Sequence, residues 1–366
     1  MMPTGHNDGV TGVVTGVVTG VVNGVVNGVA AEVDYADAHR QLHALQALLG
    51  GIIVGQQELV THLVTAVYAG GHVLIEGLPG LGKTHLAKAL AAALGLQWSR
   101  VQCTPDLMPA DVTGAEVYVT AAGGASRFEF RPGPVFAQMV LVDEINRATP
   151  RTQAALLEAM QERQVTQAGV THALPSPFCV LATQNPIELE GTYPLPEAQL
   201  DRFMFKLTVP FPSRESLRDM LDVSLDGEPA DTLQPVAGPA DVLRITALCR
   251  TVLLGERCKD AAVNLVLATQ PLAGAADAAG AAGSAGTDPR RHIRYGASPR
   301  ALQALVRAAR VRALMAGRAH VDVADLAAVA LPVLRHRILL RLESELDGQG
   351  TDATLVAVIA AWQRGL

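Results

Sequence analysis

The sequence is poor in charge and in aromatic residues, and its cysteines are not spaced to bind a metal. Charged residues make up 17% and aromatic residues 4% of the 366 residues. None of the four cysteines forms C-x-x-C or zinc-finger spacing with another. The N-terminus has no basic region followed by a continuous apolar segment. These absences argue against a zinc site and predict reduced thiols in a cytoplasmic protein.

Positive charge is also in deficit. A formal net charge of -6 gives the protein no overall attraction to nucleic acid or to an anionic membrane. Residues Thr11–Val29 repeat a four-residue unit, first Thr-Gly-Val-Val and then Asn-Gly-Val-Val. A glycine at every fourth position without flanking charge argues against a membrane span. We therefore expect residues 1–33 to form a low-complexity tail.

A glycine-rich motif indicates that the chain binds a nucleoside triphosphate. The segment Gly77-Leu-Pro-Gly-Leu-Gly-Lys83-Thr84 fits G-x-x-x-x-G-K-[ST] and follows the apolar run His72–Glu76, which predicts a strand. Glycines let main-chain N–H groups surround phosphates, and the N-terminus of the following helix adds partial positive charge. We expect Lys83 to reach the outer phosphates and Thr84 to ligate magnesium. The remaining nucleotide contacts are expected from Gly77, Pro79, Gly80, Leu81 and Gly82.

Strand and helix patterns alternate around this motif, which predicts a parallel sheet covered on both faces. Thr84–Leu94 is predicted to be a helix that ends at Gly95. Four more strands are predicted at Gln97–Cys103, Met139–Val142, Phe178–Ala182 and Phe205–Val209. The sequence thus predicts an α/β P-loop nucleotide domain over residues 34–211.

Two segments interrupt this alternation and are predicted to be β-hairpins. In the first, Glu116–Thr120 and Arg127–Arg131 flank a glycine-containing turn. In the second, Gln164–Gln167 and Val170–His172 flank Ala168-Gly169. Projecting hairpins are candidates for contacting whatever the protein acts on, with surface decoration an equal alternative.

The rest of the chain, residues 212–366, is predicted to form a second, all-α domain. Phe211-Pro212-Ser213 marks the boundary. The segment Gly274–Gly286 is rich in Ala, Gly and Ser and is predicted to be a flexible insertion. Helices are predicted at Ala240–Leu254, Asp260–Gln270, Pro299–Met315, Val323–Leu331 and Ala353–Gln363.

Three polar residues follow predicted strands and are candidates for the chemistry. Asp143 and Glu144 end the third strand, which places two carboxylates at the carboxyl edge of the sheet beside the phosphate loop. Asp143 is expected to hold magnesium, and Glu144 to accept a proton from the attacking water. Asn185 directly follows the fourth strand, so its amide could contact the γ-phosphate or orient that water.

Two arginines are further candidates. Arg202 lies just before the fifth strand, where an exposed guanidinium could stabilise charge in the site of a neighbouring subunit. Arg300 follows Ser298-Pro299, a favourable N-cap and first helical position. Judged by spacing alone, each arginine is better interpreted as a surface salt-bridge residue than as a catalytic one.

Taken together, these motifs resemble those of the MoxR family of AAA+ ATPases. The resemblance runs from about Val54 to the end of the chain. It is carried by Gly77–Thr84, Thr104–Pro109 followed by Asp111–Gly114, Asp143–Ala148, Ala182–Pro186 and Leu200–Phe203.

The resemblance implies specific roles. Asn185 would be the sensor-1 residue, Arg202 the arginine finger given to the adjacent subunit, and Arg300 the sensor-2 arginine reaching from a helical lid. The two hairpins would correspond to the helix-2 and pre-sensor-1 insertions. Val54-Gly55-Gln56 would lie near the adenine, with Gly55 among the nucleotide contacts.

The leading hypothesis is a hexameric Mg-ATP hydrolase that remodels a protein client, as the resemblance implies, with a von Willebrand factor A-domain protein as partner. A second hypothesis is a motor in metal chelation or on nucleic acid. For the latter, Arg300, Arg307 and Arg318 fall near one helical stripe with Arg310 beside it, although no DNA-binding module is evident. A third is a nucleotide-gated scaffold with little turnover.

Overall fold

The computed structural model describes residues 28–53, 55–120, 126–186, 191–218, 233–272 and 288–365. Within these residues, a parallel sheet carries helices and two hairpins, and a helical domain follows. The predicted fold class is confirmed: a P-loop α/β nucleotide domain with hairpin insertions and a helical lid. The repeat up to residue 27, Val54 and the predicted insertion Gly274–Gly286 lie outside the described residues.

The strands occur close to the positions that the apolar runs predicted. In chain order they are β1 Val73–Glu76, β2 Trp98–Gln102, β3 Gly114–Thr120, β4 Ser126–Pro132, β5 Met139–Asp143, β6 Gln164–Gln167, β7 Val170–Ala173, β8 Cys179–Gln184, β9 Phe205–Thr208, β10 Ile293–Tyr295 and β11 Leu339–Leu340.

The helices account for most of the remaining described residues. They are α1 Gly28–Ile52, α2 Gln57–Tyr68, α3 Lys83–Ala93, α4 Pro109–Thr113, α5 Pro150–Glu162, α6 Glu197–Leu200, α7 Pro239–Thr251, α8 Glu256–Ala268, α9 Pro299–Met315, α10 Val323–Leu334, α11 Leu342–Leu346 and α12 Thr351–Arg364.

The central sheet has the strand order β2-β5-β8-β1-β9, and every neighbouring pair is parallel. Alternate side chains enter opposite cores: Leu141 packs into one hydrophobic cluster, while Val140 and Val142 pack into the other. Helices therefore cover both faces, and the strands read as continuous apolar runs. In register, Glu76 lies beside Gln184. The residues that follow β1, β5 and β8 consequently meet at one edge of the sheet.

Both predicted hairpins are present, and they contact each other. β3 pairs with β4 and β6 pairs with β7, both antiparallel. Phe130 of the first hairpin stacks on His172 of the second, with ring centroids 4.0 Å apart. Tyr118 and Phe128 face each other across the first hairpin, and both side chains are exposed. The two hairpins thus form one projection with an aromatic pair on its surface.

The N-terminal helix joins the two parts of the chain. α1 begins at Gly28, within the range expected to be tail. Its His39 Nδ1 lies 3.0 Å from the Met315 carbonyl oxygen, and its Asp37 pairs with Arg244 at 3.0 Å. One hydrophobic cluster runs from this helix through β1 and β9 into the helical domain. The boundary at residue 211 stays a prediction.

The helical domain contains a short antiparallel pair that the sequence did not predict. β10 and β11 have three and two residues, too few to show a period in the sequence. Four predicted helices are present within a few residues, and Pro299–Met315 begins and ends as predicted.

Two expectations from composition concern the whole chain. The four cysteines are unpaired and buried, and burial raises the pKa of the Cys179 thiol to about 12. Among the described residues, no helix combines the length and apolar character that crossing a bilayer requires.

A buried histidine connects the sheet to α5. The His72 Nδ1 accepts a hydrogen bond from the Val180 N–H at 3.0 Å, and its Nε2 donates to the Met160 carbonyl at 3.1 Å. One nitrogen accepts and the other donates, so the ring is neutral. Burial lowers the pKa of His72 to about 4.

This pKa shift predicts a loss of stability in mild acid. Between about pH 6.5 and pH 4 the unfolded chain binds a proton at His72 that the native chain does not, so stability falls as pH falls. We expect His72→Gln to reduce the slope of unfolding free energy against pH in this window by up to about 1.4 kcal/mol per pH unit. Urea titrations at several pH values measure the slope.

The exposed His320→Gln is the matched control for replacing one histidine by glutamine. His336, whose pKa is lowered by burial and by the charge of Arg337, adds to the slope in every variant. Equal slopes for wild type and His72→Gln would contradict the prediction.

Candidate functional site

The phosphate loop has the backbone conformation that its glycines predict. Gly80 and Gly82 have φ of +79° and +73°, a left-handed region in which side chains are strained. A Cβ atom at either position would meet nothing within 4 Å, so conformation and not crowding requires glycine there. Gly82 is the N-cap of α3, whose first N–H groups have no partner within the helix.

The other loop residues are held in place by packing and hydrogen bonds. A Cβ on Gly77 would lie 3.0 Å from Cβ of Val209, and Lys83 Nζ donates to the Gly77 carbonyl at 2.6 Å. Pro79 is exposed, and Leu81 packs partly against the core.

Gly55 also has a positive φ, +73°, and a Cβ there would lie 2.1 Å from Ser216 Oγ. Both the backbone and the close approach therefore favour glycine. Its place near an adenine stays a prediction.

Asp143 is at the end of β5, beside the start of α3. Its Oδ2 accepts a hydrogen bond from Thr84 Oγ1 at 3.4 Å, so the two expected magnesium ligands are neighbours. The same oxygen accepts from Arg100 Nε at 2.7 Å. Arg100 is on β2 and its role was not predicted, because only the pairing of β2 with β5 brings it to Asp143.

Thr183 is a second residue that the sequence analysis missed. Its hydroxyl donates to Asp143 Oδ1 at 3.2 Å and accepts from the Glu144 N–H at 2.9 Å. The side chain is 2% exposed, so both bonds are shielded from water. A polar residue near the end of an otherwise apolar strand was the available signal.

Glu144 has an unusual backbone and a paired side chain. Its φ of +56° and ψ of +50° are left-handed, a strained conformation that is found at functional sites. Its Oε2 accepts hydrogen bonds from Gln102 Nε2 at 3.1 Å and from Arg147 Nη1 at 3.0 Å. Oε1 makes no hydrogen bond to any of the described residues.

Asn185 completes the group at this edge. It is 5% exposed and follows β8, whose Gln184 lies beside Glu76 of β1. Asn185 therefore lies next to the start of the phosphate loop. The structure brings together six of the predicted site residues: Gly77, Lys83, Thr84, Asp143, Glu144 and Asn185.

Arg202 and Arg300 lie at the opposite edge of the sheet. Both line a cavity with His72 and Met204, which precede β1 and β9. The span from His72 to Gly77 at the start of the phosphate loop is about 16 Å at the usual rise per residue. In the part of the chain that the structure describes, neither arginine side chain bonds to the phosphate loop or to the paired acids. Arg202 and Arg300 thus line the same cavity, away from the phosphate loop of their own chain.

Asp201 fixes the helical domain against this edge. Its Oδ1 accepts from Arg337 Nε at 2.7 Å and its Oδ2 from Ser298 Oγ at 3.1 Å. Arg300 Nη1 lies 3.9 Å from the same Oδ2. Arg202 Nη1 donates to the Leu157 carbonyl at 2.7 Å. The first turn of α9 is thereby held beside Arg202.

The stripe of arginines considered for nucleic acid is not a uniform exposed surface. Arg318 forms a two-pronged ion pair with Asp325, at 2.6 and 2.9 Å. Arg300 and Arg307 line the cavity instead.

Comparison with protein families matches both parts of the chain. Residues 72–205 match the family described as "ATPase family associated with various cellular activities (AAA)". Residues 285–357 match an AAA lid domain. A crystal structure from Cytophaga hutchinsonii, assigned provisionally as an ATPase, is similar with a TM-score of 0.80 and 38% identity, covering 90% of this chain and 97% of that one.

Curated relatives extend over most of the chain. The uncharacterized protein YeaC of Bacillus subtilis is 38% identical, covering 89% of this chain and 95% of its own. Chaperone MoxR1 of Mycobacterium tuberculosis is 40% identical, covering 81% and 75%. Protein MoxR of Paracoccus denitrificans is 36% identical, covering 83% and 90%. With the phosphate loop, the paired acids and the lid all in place, the chain belongs to the MoxR family of AAA+ ATPases.

Proposed function

We propose that this protein is a cytoplasmic Mg-ATP hydrolase that works as a hexameric ring and remodels a protein client. The observation that supports it most strongly is the convergence of Lys83, Thr84, Asp143, Glu144 and Asn185 at the carboxyl edge of one parallel sheet. The name "chaperone" of the M. tuberculosis relative supports a protein client.

Lys83 and the loop amides would bind the triphosphate. The Lys83 ammonium donates to the neutral Gly77 carbonyl. The outer phosphates would replace this carbonyl with a charged acceptor. The N-terminus of α3 adds its partial positive charge to the same anion.

Thr84 and Asp143 fit a magnesium site. Their oxygens are 3.4 Å apart, close to the separation of about 3 Å between adjacent ligands of an octahedral magnesium ion. When bound, the ion would neutralise charge on the phosphates. The side chains need little movement to hold it directly or through water.

Glu144 would act as the base. Its Oε2 is engaged by Gln102 and Arg147, which leaves Oε1 to accept a proton from water. The strained backbone of Glu144 and the Thr183 hydroxyl fix the direction from which that carboxylate acts. Asn185 would orient the water or contact the γ-phosphate.

Arg202 and Arg300 would complete the site of a neighbouring subunit. They lie across the sheet from their own phosphate loop, so a role in hydrolysis requires a second copy of the chain. The sensor-2 role that the resemblance implies for Arg300 stays a prediction, and we propose that it acts on the nucleotide of the neighbouring subunit. In the proposed ring, the amino-terminal edge of one subunit would face the carboxyl edge of the next.

The client would contact the hairpin projection, where Tyr118 and Phe128 expose an aromatic pair. A von Willebrand factor A-domain protein is the proposed partner. The partner assignment rests on the family resemblance.

Two substitutions separate binding from turnover. We expect Glu144→Gln to retain ATP while turnover falls at least about a hundredfold, because the base is lost and the phosphate contacts remain. Lys83→Ala should weaken ATP binding itself. Calorimetric titration with ATP and a phosphate-release assay measure the two effects, and normal hydrolysis by either variant would break the assignments.

The shared site predicts dependence on protein concentration. Turnover per subunit should rise steeply with concentration, because Arg202 acts only after association. Mixing Arg202→Ala subunits with Lys83→Ala subunits should restore part of the activity, since each supplies what the other lacks. Arg151→Ala, an exposed residue at the start of α5, is the control. A flat concentration dependence with no rescue on mixing would refute the shared site.

Arg100 should compete with magnesium for Asp143. Its guanidinium is 2.7 Å from Asp143 Oδ2, the oxygen beside Thr84. We expect Arg100→Gln to lower the magnesium concentration needed for half-maximal binding of a fluorescent ATP analogue by about fivefold, the size of an exposed ion pair. Arg100→Lys keeps the positive charge and should lower this magnesium concentration less. An increased magnesium requirement would show that Arg100 supports the bound state instead.

A further inference from the structure

The cavity at the amino-terminal edge has a large excess of positive charge. It has a volume of about 300 Å³ and lies between the starts of β1 and β9, the end of α5 and the first turns of α9. Five guanidiniums against the one carboxylate of Asp201 leave a formal excess of four positive charges, and His72 is neutral. The arginines are Arg163, Arg202, Arg300, Arg307 and Arg337.

Asp201 is already engaged by the most deeply buried of these arginines. The Arg337 side chain is 3% exposed, pairs with Asp201 at 2.7 Å and also donates to the Phe203 carbonyl at 2.6 Å. Glu158 and Glu162 line an adjoining cavity on another side of Arg202, and neither forms an ion pair with a cavity arginine. Arg300 lies 3.9 Å from Asp201 as well. Arg163, Arg202 and Arg307 form no ion pair with any of the described residues.

Arg163 has a strained backbone conformation. It is the C-cap of α5 with φ of +53°, a left-handed conformation for which glycine is the usual residue. Its Nη2 donates to the Gly70 carbonyl at 3.1 Å, a neutral acceptor that does not balance the charge.

Arg307 has no hydrogen bond or ion pair with any of the described residues. Arg307 is partly exposed at the cavity. Partial burial lowers the pKa of its guanidinium, and the charges of Arg163 and Arg250 lower it further. Two like charges with no counter-charge line one side of the cavity, and an anion would relieve their repulsion.

We propose that Arg163 and Arg307 bind phosphate oxygens in this cavity, and that the phosphate belongs to the nucleotide of the neighbouring subunit. The planar guanidinium matches phosphate oxygens in a two-pronged arrangement. This inference rests on the proposed function, since Arg202 and Arg300 in the same cavity are assigned to that nucleotide. It adds two residues that would make association depend on the bound triphosphate. A free polyphosphate ion has the same chemistry and is the other source to be tested.

The test follows association between two labelled populations. Donor-labelled Glu144→Gln subunits hold ATP, and acceptor-labelled Lys83→Ala subunits offer their arginines. We expect Arg163→Gly combined with Arg307→Gln to weaken ATP-dependent energy transfer about tenfold or more when placed on the Lys83→Ala subunits. The same changes on the Glu144→Gln subunits should have little effect.

Controls separate binding from folding. Arg163→Gly relieves the left-handed backbone, so its urea midpoint should not fall, whereas a purely structural role predicts a fall. Arg163→Lys with Arg307→Lys keeps the charge and should retain part of the association. Arg151→Gln removes an exposed arginine from the other end of α5 and should change nothing.

A second arm titrates tripolyphosphate into Lys83→Ala subunits alone. If the arginine changes abolish this binding but leave ATP-dependent association intact, the source is a free anion and the neighbouring-nucleotide assignment is overturned. If neither binding nor association changes, the whole inference fails. If the parental pair shows no ATP-dependent association, the proposed ring function fails, and the tripolyphosphate arm still decides whether Arg163 and Arg307 bind phosphate.

Discussion

The hydroxyl of Thr183 bridges two neighbouring strands at the point where both acids lie. It donates to Asp143 and accepts from the backbone N–H of Glu144, and Thr183 itself is buried. The position of both acids relative to β8 therefore depends on the register of β5 and β8. A slip of this register would move both acids away from Thr183 and Asn185. Burial of both faces of β5 fixes the register, because each side chain enters one of two different cores.

The same sheet separates the two halves of the proposed chemistry. Residues that would hold phosphate and water lie at its carboxyl edge, whereas Arg202 and Arg300 lie at its amino-terminal edge. The helical domain is locked to the second edge by Arg337 and Asp201, which keeps the arginines away from their own loop. The proposed chemistry would therefore draw on residues of two chains.

Charge is distributed unevenly for a protein with a net charge of -6. Acidic groups at the carboxyl edge have basic partners: Arg100 contacts Asp143, and Arg147 contacts Glu144. At the other edge, guanidiniums gather around one aspartate, and the buried His72 stays neutral because burial lowers its pKa. A local basic surface therefore exists that overall charge does not reveal.

The sequence by itself determined the fold class, the five strands, both hairpins, and the residues at the phosphate loop and the strand ends. Apolar runs and glycines at positive φ are local properties, which a sequence displays directly. Only the tertiary structure decided that Arg100, Gln102 and Thr183 touch the acids, because those contacts depend on which strands are neighbours. It also decided that Arg300 lies beside Arg202, since the docking of one domain on another leaves no periodic signal in the chain.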